Sequence, residues 1–554
     1  MQEFGSQGGG DSCRLFNEMA KLALFACLMM WKLCCINDQL HRASMKVDHS
    51  IKESKENIGV KEYKWIVLIP VGAYLAYRVI LKWHTESQLP PGPTGWPWLG
   101  YTSCLGEGAF KKVQLLCEKY GPVTSFRICG KLIVILSDEE TIKEAALKRR
   151  TLIGRHTMLT NHLLAKGYGI SNYDGENANC LRRILVGAIH RILPTRTANA
   201  KSGNEVSSCD PSITQIECQN PSFIDDKLDT ECLELVNYLR RLGGEPVKIS
   251  RILRRLVWRV VWKAAFGTDC TLDDATVTQL LHCVAENNSK NGPFQFKQML
   301  PNFWSVLLVH SRAARRILGV DDIWNRYERL TSVLNQAVAE HRSSQNRTKK
   351  CLISSFLDDA KNVVSEADTN RLAFEIMAAG VDTTTLTLVW SCYALATGRL
   401  ELRPTESFTE SHLEVVHRLA SVVPMALPHY ARFDSHVGGY LIPKGSVVFF
   451  NLFAVHQSQL RSLTQTNNKG CPRATGIGAR RKMYLCESAM PFSVGSRACP
   501  GFMFATRVIT RVMSCIIANF SIEECQDEVD AKGDHSTGLT RSPVTENYRF
   551  IALN

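Results

Sequence analysis

No two cysteines in this 554-residue chain are spaced as C-x-x-C, although there are twenty of them. That absence removes the usual zinc-site spacings and the dithiol redox motif. Cys34 and Cys35 are adjacent, the other intervals are irregular, and a chain of this length has no need of a disulfide scaffold. Mostly free thiols in a reducing compartment are the simpler reading. Long apolar runs are scarce too. Leu22–Trp31, between Lys21 and Lys32, has ten residues, too few to cross a bilayer, and reads as a signal-like or interfacial segment with no evident cleavage site. Acidic residues are in deficit, 53 against 66 basic, giving a formal charge of +13. An acidic partner or an anionic membrane surface suits that balance, and so does a solvated basic face. No nucleic-acid-binding motif accompanies the charge, so a nucleic-acid partner is set aside.

What is present begins with Trp65–Leu81, seventeen largely apolar residues, just long enough to span a membrane. Trp65 and Trp83 mark its ends and Arg78 is placed to snorkel; a buried core helix is the alternative. Lys61, Lys64 and Lys82 flank both ends, so charge sets no orientation. Residues 1–64 form a polar extension, 65–88 the expected anchor, and 89–554 the main domain. Leu89–Gly100 holds four prolines and three glycines, which exclude helix and strand and make a stiff extended connector. Tyr120–Ser137 alternates around Cys129-Gly130 as a β-hairpin would, and Asp138–Lys148 reads as a capped helix. Pro194–Asp226 reads as an inserted loop, and amphipathic helices dominate from Lys227 to Gln345. Glu366–Thr397 is a long apolar helical pattern interrupted by AGVDTT at 379–384, where glycine and a threonine run are poor helix formers.

The most informative stretch is Pro491–Gly501, PFSVGSRACPG. It contains F-x-x-G-x-R-x-C-x-G, which arises by chance with probability on the order of 10⁻⁴ in a chain this long. Gly495 permits a tight turn that brings backbone N–H groups toward the sulfur. Pro500 suits a first helical position, which would put Cys499 at a helix N-terminus where thiol pKa values fall. A buried free cysteine in a glycine turn is the bland alternative.

This loop closely resembles the cysteine loop of the cytochromes P-450, the haem-thiolate monooxygenases. The resemblance implies a mainly α fold with small β-sheets behind an N-terminal membrane anchor. It implies haem b held through Cys499 as axial iron ligand, with Phe492 packed on the sulfur side and Arg497 at a propionate. AGVDTT resembles the oxygen-activation motif of the central helix: Thr383 would handle the bound dioxygen, Asp382 would feed protons, and Ala379 and Gly380 would leave a groove. His429 matches a propionate contact. Arg182 fits the arginine of W-x-x-x-R, and is otherwise a surface arginine. By resemblance the chain is of the microsomal animal type. It would sit at the endoplasmic reticulum membrane with the catalytic domain on the cytosolic side. It would insert one atom of O2 into a lipophilic small molecule, with electrons from NADPH through a flavoprotein reductase.

Departures from the pattern are equally specific. Ala178 stands where the tryptophan belongs. In LEVVHRLASVVPMALPH (413–429), Glu414 and Arg418 are four apart instead of three, and the two helices usual before this segment are missing across 397–411. Residues 457–481 replace the expected meander, so the arginine completing the family's Glu–Arg–Arg triad is unassigned, with Arg480 and Arg481 as weak candidates. These departures sustain a rival reading, a degenerate, anchored member that holds haem poorly and is inactive. A haem-binding gas sensor is a third reading, opposed by the intact Asp382-Thr383.

Overall fold

The computed structural model describes residues 86–96, 99–149, 154–155, 168–193, 223–290, 294–299, 308–344, 351–359, 364–402, 406–468, 489–525 and 538–553, apart from Glu107 and Val309, with a few isolated positions besides. The expected extension and nearly all of the expected anchor lie outside these residues, as does most of 457–488. The chain divides into Met1–Leu89 and Pro90–Asn554, and the second unit holds every helix and strand named here.

The early residues of the proline-rich segment are docked, and its end turns back where an extended connector was expected, with Trp96 and Gly100 exchanging backbone hydrogen bonds at 2.9 and 2.8 Å. Ser125 donates from its backbone N–H to Pro91 O at 2.9 Å and from Oγ to Pro90 O at 2.6 Å. Gly92 is required for this approach, because a Cβ there would stand 1.6 Å from Ser125 O. The strand it lies along, β1 (Val123–Ile128), pairs antiparallel with β2 (Lys131–Leu136) around the left-handed pair Cys129 and Gly130. The α-helix α1 (Ala109–Tyr120) precedes them and buries Phe110, Val113 and Leu116. Asp138 caps α2 (Glu139–Lys143) by accepting from Thr141 N, and the helix continues as a π-turn over Glu144–Lys148. The mixed five-stranded sheet runs β1-β2-β5-β4-β3, with β3 at Gly154–Arg155, β4 at His429–Tyr430 and β5 at Val447–Phe450.

Helices supply the larger core. In chain order the long ones are α3 (Gly175–Ile192), α4 (Phe223–Arg241), α5 (Ile249–Phe266), α6 (Asp274–Lys290), α7 (Asp321–Ser343), α8 (Glu366–Ala396), α9 (Glu410–Ala420), α10 (Leu452–Asn468) and α11 (Phe502–Asn519). A smaller sheet joins Val247–Lys248, Asn547–Ala552 and Phe520–Glu524. The fold is therefore mainly α with small sheets, as the resemblance implied.

Helix α8 passes through the middle, opened by a capping box between Ser365 and Asp368. The expected interruption at 379–384 is absent: all 31 residues are helical. The reason is local. Thr383, Thr385 and Thr387 donate their hydroxyls to the carbonyls of Ala379, Val381 and Thr383 at 2.7, 2.7 and 2.9 Å. The threonines spend their competing hydroxyls one turn back and the backbone ladder is kept. Burial on nearly every side explains why α8 shows little amphipathicity.

Candidate functional site

A cavity of ≈480 Å³ lies between α8 and the cysteine loop. From α8 it receives Ala379, Gly380 and Thr383, and from the loop Phe492, Arg497 and Cys499; Arg182, His429 and Arg155 complete it. All of the site residues expected from the sequence meet there except Asp382, and Gly495, which shapes the loop from outside.

The loop is built as its sequence demands. Gly495 has φ +77°, and a Cβ there would stand 2.6 Å from Ala146 O in the π-turn, so only glycine fits. Ala498 N donates to Gly495 O at 3.1 Å and Cys499 N to Phe492 O at 2.8 Å, which folds the loop back on itself. Phe492 packs edge-on against His417 with ring centroids 5.2 Å apart.

Two expectations about the cysteine need correction. Helix α11 starts at Phe502 with Gly501 as its N-cap, so Pro500 precedes the cap and is not the first helical residue. The thiol pKa is raised, where a helix N-terminus was expected to lower it. Desolvation dominates, since protein crowds the thiol although the residue stays exposed to the open cavity; the Gly501 amide and the charge of Arg182 act the other way. A metal ion placed against this sulfur would deprotonate it outright.

One end of the cavity carries an excess of positive charge. Arg155 is held down to about 9 by burial and by the charge of Arg497, with Glu375 and Asp174 opposing and Arg182 adding to the depression. Its Nε is buried without a hydrogen-bond partner. Arg497 donates to Tyr173 O and Asp174 Oδ1, both at 2.9 Å, and burial lowers its pKa. Arg182, also depressed by burial, faces the cavity and feels Cys499. Arg155 and His429 are direct partners across β3 and β4, so their side chains share a face of the sheet. His429 is buried and stacks on Phe450 at 4.3 Å. Three crowded guanidiniums and an orphaned Nε suit a ligand with two carboxylates, and the thiol at the floor suits an iron. The residues present fit haem b.

Asp382 does not line the cavity. It is 1% exposed and its carboxylate accepts from Asn288 Nδ2 at 3.1 Å, Thr540 Oγ1 at 3.2 Å and Arg254 Nη2 at 3.4 Å. Burial raises its pKa against the pull of Arg254. Asn288 lines the cavity and so connects the two.

Sequence reading missed Arg155, His417 and Gln459. His417 occupies the position three after Glu414, where the family pattern places arginine, and Arg418 instead reaches Gln459 of α10 at 3.1 Å. Ala178, in place of the expected tryptophan, is buried and lines the cavity.

Comparison with known proteins agrees with this geometry. The family model described as Cytochrome P450 matches residues 90–204, 222–399, 409–460 and 483–550, more than half of the chain. Its breaks fall within or beside the inserted loop, 397–411 and 457–481. Among curated relatives, Cytochrome P450 2A9 of Mesocricetus auratus is 23% identical over 495 residues, covering 83% of this chain and 93% of its own length. Cytochrome P450 2F2 of Mus musculus is 24% identical, with 80% and 90% covered, and Cytochrome P450 2B4 of Oryctolagus cuniculus is 23% identical, with 89% and 100% covered. A thiol below, arginines at one end, a threonine-bearing helix above and a match over most of its length lead to one conclusion: this chain belongs to the cytochrome P450 family, the haem b-dependent monooxygenases.

Proposed function

We propose that this protein inserts one oxygen atom from O2 into a lipophilic small molecule such as a drug, steroid or fatty-acid-like compound, and that Cys499 would be the protein's ligand to the haem iron. The observation that carries the reading is that Cys499 and Thr383 line one cavity from separate elements, with apolar walls supplied by Leu185, Ile189, Val261, Leu372, Phe374 and Ile376. Bound haem supplies the redox chemistry of oxygen reduction. Arg155, Arg182, Arg497 and His429 would hold its carboxylates, and Phe492 would pack on the sulfur side. Ala379 and Gly380 leave room against α8.

Proton handling belongs to Thr383 and Asp382. Thr383 keeps its hydroxyl proton on Ala379 O at 2.7 Å, which leaves its oxygen free to accept from water in the cavity. Asp382, whose raised pKa favours holding a proton, releases it to water beside Asn288, whose amide donates to the carboxylate and borders the cavity. Electrons come from NADPH through a flavoprotein reductase that docks on the basic face of the cysteine loop. Trp65–Leu81 anchors the chain in the endoplasmic reticulum membrane, with the catalytic domain on the cytosolic side.

A second reading, a degenerate member with poor haem retention, draws on Ala178 and on Glu414, which is 43% exposed beside a buried Arg418. Reconstitution in lipid with the reductase and a panel of lipophilic substrates separates the two. The proposal expects a product bearing one oxygen from labelled O2, and more NADPH consumed per product in Thr383→Ala. A haem-loaded protein that oxidises NADPH with no oxygenated product would overturn it.

A further inference from the structure

Helices α4 and α11 run parallel and in step, as three contacts show. Arg507 meets Asp225 at 2.6 Å, Arg511 meets Asp229 at 2.7 Å, and Cys515 Sγ donates to Cys232 O at 3.8 Å. The sequence offsets are 282, 282 and 283 residues. Each contact lies one helical turn beyond the last, so two ion pairs set the register that brings the cysteines together. Helix α11 is also the one that leaves the cysteine loop carrying Cys499.

We propose that Cys232 and Cys515 form a reversible disulfide, a modification site that ties the cysteine-loop helix to α4. The chemistry is asymmetric. Cys232 is 3% exposed, whereas Cys515 is half-buried and reachable. The Cys515 thiolate is favoured by a hydrogen bond from Cys232 and by the charge of Arg511, against burial and Asp229. Cys515 is therefore the attacking sulfur and Cys232 the resolving one. With a small disulfide such as glutathione disulfide as oxidant, the Cys515 thiolate attacks one sulfur and releases one glutathione thiolate. Cys232 then loses its proton and displaces the second glutathione. One protein S–S bond forms, one glutathione S–S bond breaks, and two electrons leave with the two glutathione thiols.

The test uses the full-length, haem-loaded protein, equilibrated at a series of glutathione to glutathione disulfide ratios. Free thiols are then alkylated and the digest is read by mass spectrometry. The expected result is a peptide pair joining Cys232 to Cys515, two hydrogens lighter than the separate thiols, which grows as the ratio becomes oxidising and vanishes with dithiothreitol. In Cys232→Ser, Cys515 retains glutathione; in Cys515→Ser, Cys232 remains alkylatable. The wild-type digest decides the matter even where a variant fails to fold. Alkylation of both thiols at the most oxidising ratio would overturn the proposal. So would glutathione stranded on wild-type Cys515, or a crosslink to another cysteine.

Discussion

Arg418, 2% exposed, donates through Nε to Gln459 Oε1 at 3.1 Å, while its Nη1 lies 3.5 Å from the partly exposed Glu414 carboxylate. A neutral amide from α10 thus reaches the arginine that follows His417. A hydrogen bond to a buried charge is worth about 1.5–3 kcal/mol. Gln459→Leu is expected to destabilise the protein by roughly that amount, and Gln459→Glu, which supplies a carboxylate, to destabilise it less. Denaturant unfolding of the three forms checks the order.

The cationic end of the cavity makes a separable prediction. Arg155→Met removes a guanidinium crowded by Arg497 and Arg182, so the haem-free protein is expected to lose little stability. Haem affinity is expected to fall by roughly 10- to 100-fold, the equivalent of one charge-assisted contact. Transfer of haem to an acceptor apoprotein measures it. Equal retention in both forms would remove Arg155 from the haem site.

Two glycines behave oppositely. Gly495→Ala puts a Cβ 2.6 Å from Ala146 O at φ +77°, which costs at least about 1–2 kcal/mol in backbone strain alone and displaces the loop holding Cys499. Gly380→Ala meets only Val261 methyls at 3.7 Å and is expected to fold normally. Far-ultraviolet thermal melts distinguish them, with Gly495→Ala melting lower.

Acid sensitivity follows from two imidazoles behind the loop. His417 is lowered to about 3 by burial, then by His456 and Arg418; His456 is lowered to about 3 by burial and Arg418. Both are neutral when folded, while the unfolded chain protonates them near 6.5. Their contribution is therefore complete above about pH 6.5 and is lost as pH falls toward about 3, by up to ~1.4 kcal/mol per unit for each ring. Unfolding midpoints at pH 7 and pH 5 should differ more in the wild type than in His417→Gln.

The sequence made the cysteine loop legible because five positions at fixed spacing hold Phe, Gly, Arg, Cys and a second Gly for reasons of local geometry, and α8 legible because it is long and apolar. Thr383 and Asp382 were found together, but spacing alone gives no face. Only packing shows that Thr383 turns to the cavity while Asp382 turns to Arg254 and Asn288. Arg155 left no local signal, because a two-residue pairing with a strand more than 270 positions away sets its direction. Gln459 was hidden for a similar reason. Its amide oxygen accepts from Arg418, which no arginine can do, and it lies at the edge of the last family-matched residues before 461–482.

Whether Cys499 binds the iron of haem b is read from the carbon monoxide difference spectrum of the dithionite-reduced protein. The strongly red-shifted Soret band of a thiolate ligand is expected, and its loss in Cys499→Ala. A band typical of neutral ligation in the wild type, or no haem band at all, would remove Cys499 as the iron's ligand.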